Sequence, residues 1–104
     1  MQSTGVKVQI SGASAIVDFT SASLTGSLSP STGTFSQAGT AFTFTVSGVS
    51  YTGSPTTTTA TGGLITSVEV SSASTGATVS VKLSSAASHS QFAIGHNQVG
   101  VSFS

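Results

Sequence analysis

The stretch QFAIGHNQVGVSF at residues 91–103 decides the fold of this chain, because a related pattern occurs 57 positions earlier. Phe92 then corresponds to Phe35, and Phe103 corresponds to Val46. Both copies contain a large aromatic residue, a turn, and a strand in which apolar residues alternate with small or polar residues. The alternation predicts a β-strand with one buried face in both places.

Segments upstream of these two stretches also correspond to each other. Val6-Lys7-Val8 is similar to Val68-Glu69-Val70, and residues 16–21 are similar to residues 79–85. Similar segments therefore occur twice in the same order, which predicts a chain of two related halves.

The predicted architecture is all-β, a two-sheet β-sandwich that forms a single domain over residues 1–104. The two similar halves span about residues 6–47 and 64–104. A Thr- and Gly-rich loop at residues 53–63 is predicted to join them, because Gly and Pro favour turns and exposed connections. A chain of 104 residues can bury a working core without disulfides or a structural metal.

Two features depart from regular alternation. In residues 23–33, Leu24 and Leu28 lie four positions apart among Gly and Pro residues. We expect a short irregular strand or loop there, with both Leu side chains in the core. Ile16 falls on the outer side of its strand, so a second layer or a neighbouring molecule is expected to cover it.

The low charge of the chain excludes several classes of partner. Only 4% of the residues are charged, against about a quarter in an ordinary soluble domain, and the net charge is zero. The chain therefore lacks the basic surface with which proteins bind nucleic acids or anionic membranes. No apolar run approaches the ~20 residues that cross a bilayer, so membrane insertion is not expected. A neutral surface rich in Ser and Thr is typical of periplasmic or extracellular proteins.

Residues suited to catalysis are scarce. The acids are Asp18 and Glu69, the histidines are His89 and His96, and there is no Cys. A Ser-His-Asp triad, a glycosidase carboxylate pair or a zinc site needs such groups brought together in one cleft. The acids fall on predicted outer positions in different halves, and neither a nucleophile elbow nor a phosphate-binding loop occurs. We therefore expect a protein that is not an enzyme and has no cofactor.

A small set of polar residues is suited to binding a neutral sugar. His96, Asn97 and Gln98 lie in the predicted terminal hairpin, and Tyr51 is the single tyrosine. Imidazole, amide and phenol groups on a rigid rim can form hydrogen bonds and ring contacts with sugars. The plainer interpretation is that Asn97 supplies turn geometry and that His96 is solvated.

The second half resembles an AMIN domain, the β-sandwich module attached to bacterial cell-wall amidases and to secretin pores of type IV pili. The resemblance rests on four segments: Ile65–Val70, Ala77–Leu83, Gln91–Ile94 and Gln98–Phe103. AMIN domains consist of two similar halves, and their closing strand usually carries Arg and Asp where this chain has Gln98 and Ser102. The resemblance implies non-catalytic binding to peptidoglycan, with Gln98 and Ser102 in the positions of the family's polar residues.

Three functions remain open at this point. The first is a non-enzymatic envelope module that anchors a parent protein to peptidoglycan glycan. The second is a carbohydrate-binding module for another neutral polysaccharide. The third is a structural subunit of a surface filament, coat or adhesin, which would associate with itself through an exposed edge strand.

Overall fold

The computed structural model describes residues 7–19, 23–50, 56–73, 76–95 and 98–104. Within these ranges the chain forms strands and connecting turns, and no described residue is helical. The strands are β1 (Lys7–Ser11), β2 (Ser14–Asp18), β3 (Ser23–Pro30), β4 (Thr34–Phe35), β5 (Ala41–Ser50), β6 (Thr56–Thr59), β7 (Ile65–Ala73), β8 (Gly76–Leu83), β9 (Ser90–Ile94) and β10 (Gln98–Phe103).

The strands form two antiparallel sheets. The four-stranded sheet has the order β1-β2-β10-β9, and the six-stranded sheet has the order β3-β5-β8-β7-β6, with β4 as a further partner of β5. Apolar side chains from both sheets pack into one hydrophobic cluster. The prediction of an all-β, two-sheet β-sandwich is confirmed.

Strand β10 illustrates how the sequence pattern produces this packing. Val99, Val101 and Phe103 are buried, whereas the residues between them lie on the opposite face of the sheet. Successive side chains of a strand point to opposite faces, so alternation of apolar and polar residues yields one dry face and one wet face. The buried apolar residues are Ala15, Val17, Phe19, Leu28, Phe42, Phe44, Val46, Val49, Ile65, Val68, Val70, Ala77, Val79, Val81, Leu83, Val99, Val101 and Phe103.

An aromatic cluster joins the two sheets around Phe42 of β5. Its ring centroid lies 4.7 Å from that of Phe35 and 5.8 Å from that of Phe44, both in the six-stranded sheet. Phe103 and Phe92 of the four-stranded sheet lie 5.4 Å and 6.1 Å away. Tilted and edge-on contacts of this kind contribute about 0.5–1.5 kcal/mol each beyond the burial of area. The cluster therefore fixes the position of one sheet relative to the other.

The turn between β1 and β2 also connects the sheets. Gly12 has a φ of 62°, a conformation that two-residue hairpin turns require and that glycine adopts without a Cβ clash. The backbone N–H of Ile65 donates to the carbonyl oxygen of Gly12 at 3.1 Å, and Ile65 begins β7 in the other sheet. The N–H of Phe103 donates to the carbonyl oxygen of Ala13 at 2.9 Å. The turn that joins β1 and β2 is thus hydrogen-bonded to two further strands, β7 and β10, one in each sheet.

The Thr run is a strand, so the prediction of a loop throughout residues 53–63 is wrong. Thr56–Thr59 forms β6, which pairs antiparallel with β7 at one edge of the six-stranded sheet. A run of identical polar residues has no alternation from which a strand can be recognised. Thr is nevertheless β-branched and suits a pleated backbone, and pairing with β7 completes the strand.

The irregular segment is also a strand. β3 pairs with β5, and the pairing register shifts between Leu24 and Ser29. Leu28 is buried in the core, as expected, with 5% of its surface exposed, whereas the side chain of Leu24 lies outside the described part of the structure. The register shift explains why the apolar residues of this segment do not alternate regularly.

Each sheet combines strands from both halves of the chain. The order β1-β2-β10-β9 in one sheet corresponds to the order β7-β8-β5-β4 within the other. The strands β1, β2, β4 and β5 of the first half therefore correspond to β7, β8, β9 and β10 of the second half, in that order. That the halves are a sequence repeat stays a prediction.

Candidate binding surface

The outer face of the four-stranded sheet carries three rows of residues that run across the strands. The pairing register defines the first row as Lys7, Asp18 and Gln98. The second row is Gln9, Ile16, Gly100 and Ala93. The third row is Ser11, Ser14, Ser102 and Gln91. Two polar rows therefore enclose a middle row that is mainly apolar.

A shallow furrow runs along β10 because Gly100 has no side chain at the centre of the middle row. One depression of about 250 Å³ is lined by Ile16, Ala93, Ile94, Gly95, Gln98 and Gly100. A second, of about 210 Å³, shares three of these residues and extends to Ser14 and Ser102. A third, of about 360 Å³, begins at Ser102 and ends at His89 and Ser104. We call these connected depressions the outer furrow, which is roughly 20 Å long at the rise of a β-strand.

The outer furrow combines an apolar floor with a polar rim. Ile16, in the middle row, is 39% exposed, and Ala93 and Gly100 of the same row add to the floor. Ile94 is 51% exposed and borders one end of the furrow, although it pairs in register with the core-facing Val99. No second layer of the described chain covers Ile16, so that part of the expectation is wrong, and its coverage by a neighbouring molecule stays a prediction. Amide and hydroxyl groups of Gln98, Gln91 and Ser102 stand around these apolar surfaces. A ligand with both apolar and hydroxyl surfaces fits such a lining.

Gln98 is held in place by a neighbouring strand. Its Nε2 donates a hydrogen bond to Oδ2 of Asp18 at 3.1 Å, and the two residues are directly opposite each other in β10 and β2. A primary amide carries two N–H donors and a carbonyl acceptor, so this bond uses one of several hydrogen-bonding positions. Asp18 therefore orients the amide at one end of the outer furrow.

Two of the predicted site residues lie on this surface. Gln98 and Ser102 are four positions apart on the same face of β10, and both line the outer furrow. His96, Asn97 and Tyr51 lie outside the described residues. The binding role of all five residues stays a prediction.

Sequence reasoning did not find the residues that shape the furrow. Gly100 interrupts a strand of Val and Phe residues, and a glycine inside an alternating strand is a signal of close approach or open space. Gln91 lies opposite Ser102 only because β9 and β10 pair in this register. The glycine could have been noticed in the sequence, whereas the cross-strand neighbours could not.

The outer face of the six-stranded sheet has a smaller and more polar depression. It has a volume of about 140 Å³ and is lined by Thr57, Ser67, Glu69, Ser80 and Lys82. Hydroxyl groups and two opposite charges dominate this surface, and no apolar floor lies between them. An uncharged ligand would therefore find fewer apolar contacts here than in the outer furrow.

The two acidic residues cannot act as a pair across a cleft. Asp18 lies on β2 in the four-stranded sheet, and Glu69 lies on the exposed face of β7 in the other sheet. The two outer faces point in opposite directions, with the hydrophobic core between them. Among the described residues, no three His, Cys, Asp or Glu side chains are grouped as metal ligands.

Comparison with known proteins identifies no family. A scan against protein-family models, a search of curated proteins and a search of solved structures each give no significant match. The resemblance to AMIN domains therefore stays a prediction from the sequence pattern. No helix long and apolar enough to span a bilayer occurs in the described parts of the chain.

Proposed function

We propose that this domain is a non-catalytic module that binds an uncharged polysaccharide strand along the outer furrow, with the glycan of peptidoglycan as the first candidate. The observation that carries the proposal is the composition of the furrow: an apolar floor, a rim of amides and hydroxyls, and no Lys or Arg in its lining. A pyranose ring has apolar C–H faces and a rim of hydroxyl groups. The two surfaces are complementary.

The rim supports recognition of hydroxyl groups. Gln98 and Gln91 lie towards opposite ends of the furrow, and each amide both donates and accepts. A sugar hydroxyl also donates and accepts, so it can pair with either group. One such bond contributes about 0.5–1.5 kcal/mol, and the described residues that line the furrow include no exposed Phe, Tyr or Trp ring. We expect an affinity of roughly 0.1–1 mM for a short oligosaccharide.

The lack of charge in the furrow predicts how binding responds to salt. Contacts between charged groups weaken as salt screens them, whereas neutral hydrogen bonds and apolar contacts do not. Glycan binding through this surface is therefore expected to change little between low and high salt. Such a module would act in the periplasm or outside the cell, where structural polysaccharides occur.

The test is co-sedimentation with purified peptidoglycan sacculi, cellulose and chitin, each at low and high salt. The informative variant is Gly100→Val, because a Cβ at Gly100 would lie 3.6 Å from Cγ1 of Ile16, an ordinary contact that fills the furrow. The matched control is Ser80→Val, which makes a similar change on a central strand of the other sheet.

The outcomes separate the proposed ligands. Salt-insensitive pelleting with sacculi that Gly100→Val abolishes and Ser80→Val preserves would support binding to cell-wall glycan. The same result with cellulose or chitin would assign the furrow to another neutral polysaccharide. The proposal fails if no polymer pellets the protein, or if both variants bind as the parent chain does.

A further inference from the structure

The backbone of β9 presents hydrogen-bonding groups at the open edge of the four-stranded sheet. The N–H of Gly95 donates to the carbonyl oxygen of Gln98, and His89 and Ser104 exchange both of their backbone bonds. Hydrogen-bonded pairs alternate along antiparallel strands, so residues 91, 93 and 95 bond to β10. The N–H and C=O groups of Ser90, Phe92 and Ile94 consequently point away from the sheet.

The four edges of the described sheets differ in how they are protected. β3 has a shifted register and ends at Pro30, β6 has four residues, and β1 carries Lys7. Irregular pairing, Pro, short length and Lys are the means by which proteins prevent edge strands from pairing with other chains. β9 has none of them: its sequence, SQFAI, is uncharged, and its register with β10 is continuous.

The two edges of the four-stranded sheet also differ in the space beside them. Across the core, β3 faces β9 and β10, whereas β7 faces β1 and β2. β6 is the next strand outward from β7, so the six-stranded sheet extends on the side of β1. On the side of β9, the six-stranded sheet ends at β3 and the two-residue β4, which both pair with β5. Among the described strands, an approaching strand therefore meets less obstruction at β9 than at β1.

We propose that two copies of this chain associate through β9, antiparallel, about a two-fold axis perpendicular to the sheet. Phe92 would lie opposite Phe92 of the second copy, and Ser90 would lie opposite Ile94. Ser90, Phe92 and Ile94 pair in register with the core-facing positions of β10, so core-facing residues of one copy meet core-facing residues of the other. The two copies then form one continuous eight-stranded sheet.

The occupant is a second copy because β9 complements itself. A two-fold contact places the same surface on both sides, so a charged residue near the axis would lie opposite the same charge of the second copy and be repelled by it. β9 has no charge, and it offers three residues whose backbone groups can form up to six hydrogen bonds with an identical strand. The pairing also covers part of Ile94, which is 51% exposed in the single chain.

The dimer would place both outer furrows on the same side of the joined sheet. The furrows then lie side by side, and a surface polymer could engage both at once. Such bivalent binding strengthens attachment without any new contact at either site. The dimer itself does not depend on the identity of the ligand.

The first measurement is sedimentation of the full chain between about 5 and 500 µM, a range in which an edge contact of this size is expected to dissociate. Ile94→Pro removes an N–H that points to the open edge, where Pro is tolerated. The matched control is Val8→Pro, which removes the equivalent N–H at the edge of β1. We expect a concentration-dependent dimer that Ile94→Pro abolishes and Val8→Pro retains, with circular dichroism confirming that both variants fold.

A cross-linking measurement tests the register. The chain has no Cys, so introduced cysteines are unique. In the proposed pairing, Gln91 of one copy lies directly opposite Ala93 of the other, about 4.5 Å apart between Cα atoms, within the range for a disulfide. Mixing Gln91→Cys with Ala93→Cys is expected to give far more disulfide dimer than either variant alone.

Two results would overturn the proposal. One is a parent chain that stays monomeric over the whole concentration range. The other is a dimer that Val8→Pro disrupts as much as Ile94→Pro does, or that cross-links equally through either single cysteine variant. Both measurements omit the polysaccharide, so they are independent of the proposed binding function.

Discussion

The two outer faces of the sandwich rest on the same core but differ in shape and charge. On the four-stranded sheet, Gly100 lies at the centre, next to exposed Ile16, and the charged residues Lys7 and Asp18 lie in the row at one end. On the six-stranded sheet, Ser and Thr fill most outward positions, with charges among them. The alternation that builds the core leaves the outward positions free, and the residues placed there decide what each face can bind.

Two glycines in central strands show the same contrast at the level of atoms. Gly100 of β10 lies below open space, and a Cβ there would meet ordinary contacts. Gly76 of β8 faces the backbone of β5, and a Cβ there would overlap the carbonyl oxygen of Val46. One glycine shapes a surface, whereas the other permits two strands to approach each other.

The largest loss of stability is expected at a side chain that packs against both sheets. Phe42→Ala removes the centre of the aromatic cluster and should lower the free energy of unfolding by about 3–5 kcal/mol, through lost burial and a cavity. Phe42→Leu should cost clearly less. Denaturant unfolding measures both. A loss below about 1 kcal/mol for the Ala variant would show that the cluster does not hold the sheets together.

The second prediction is that replacing the two glycines by Ala changes the stability of the fold in opposite directions. Gly76→Ala should destabilise the fold by roughly 2 kcal/mol or more, because the strand must shift away from Val46. Gly100→Ala should stabilise it by about 0.5–1 kcal/mol, since Gly in a strand loses more conformational freedom on folding than Ala does. Thermal unfolding of the two variants compares them directly. Equal effects at the two positions would contradict the distinction between a packed glycine and an open one.

The third prediction separates the two faces by ligand binding. Gln98→Ala should weaken binding to the polysaccharide identified by co-sedimentation by about twofold to tenfold, the equivalent of one neutral hydrogen bond. Lys82→Ala, on the outer face of the other sheet, should leave binding unchanged. Isothermal titration with a soluble oligosaccharide measures the difference. If Lys82→Ala weakened binding and Gln98→Ala did not, the ligand would belong to the six-stranded face.

The smallest effect is expected from pH. The chain has two Lys, two acidic residues and two His, and the described acids lie on the outer faces. Stability changes with pH only where protonation differs between the folded and unfolded states. The melting temperature should therefore vary by only a few degrees between about pH 5 and pH 9. A steep fall of the melting temperature on acidification would contradict this prediction, because it would show that folding strongly stabilises the ionised form of one of the two carboxylates.

The fold could be predicted to a large extent because it depends on local periodicity. Alternation over residues 98–103 and 41–46 places Val and Phe side chains on one face, and Gly-containing turns separate the strands. Periodicity does not predict the strand Thr56–Thr59, because four identical residues have no alternation. The strand arises from pairing with β7, which lies later in the chain.

The candidate site could be predicted only in part. The resemblance to AMIN domains points to Gln98 and Ser102, which stand where that family has its polar residues, and both line the outer furrow. Gln91 and Ile16 join them through strand pairing. The sequence does not show that Ile16 stands beside Gly100, because the residues are 84 positions apart and meet only when β2 pairs with β10.

By itself, the sequence determined that this protein has strands with one apolar face, a nearly uncharged surface and no cluster of catalytic groups along the chain. These properties follow from residue types and their spacing. The tertiary structure alone decided which strands are neighbours, where the furrow runs and which edge is left unprotected. The reason is physical: periodicity is a property of a few consecutive residues, whereas register and edge position come from hydrogen bonds and packing between residues that are distant in the chain.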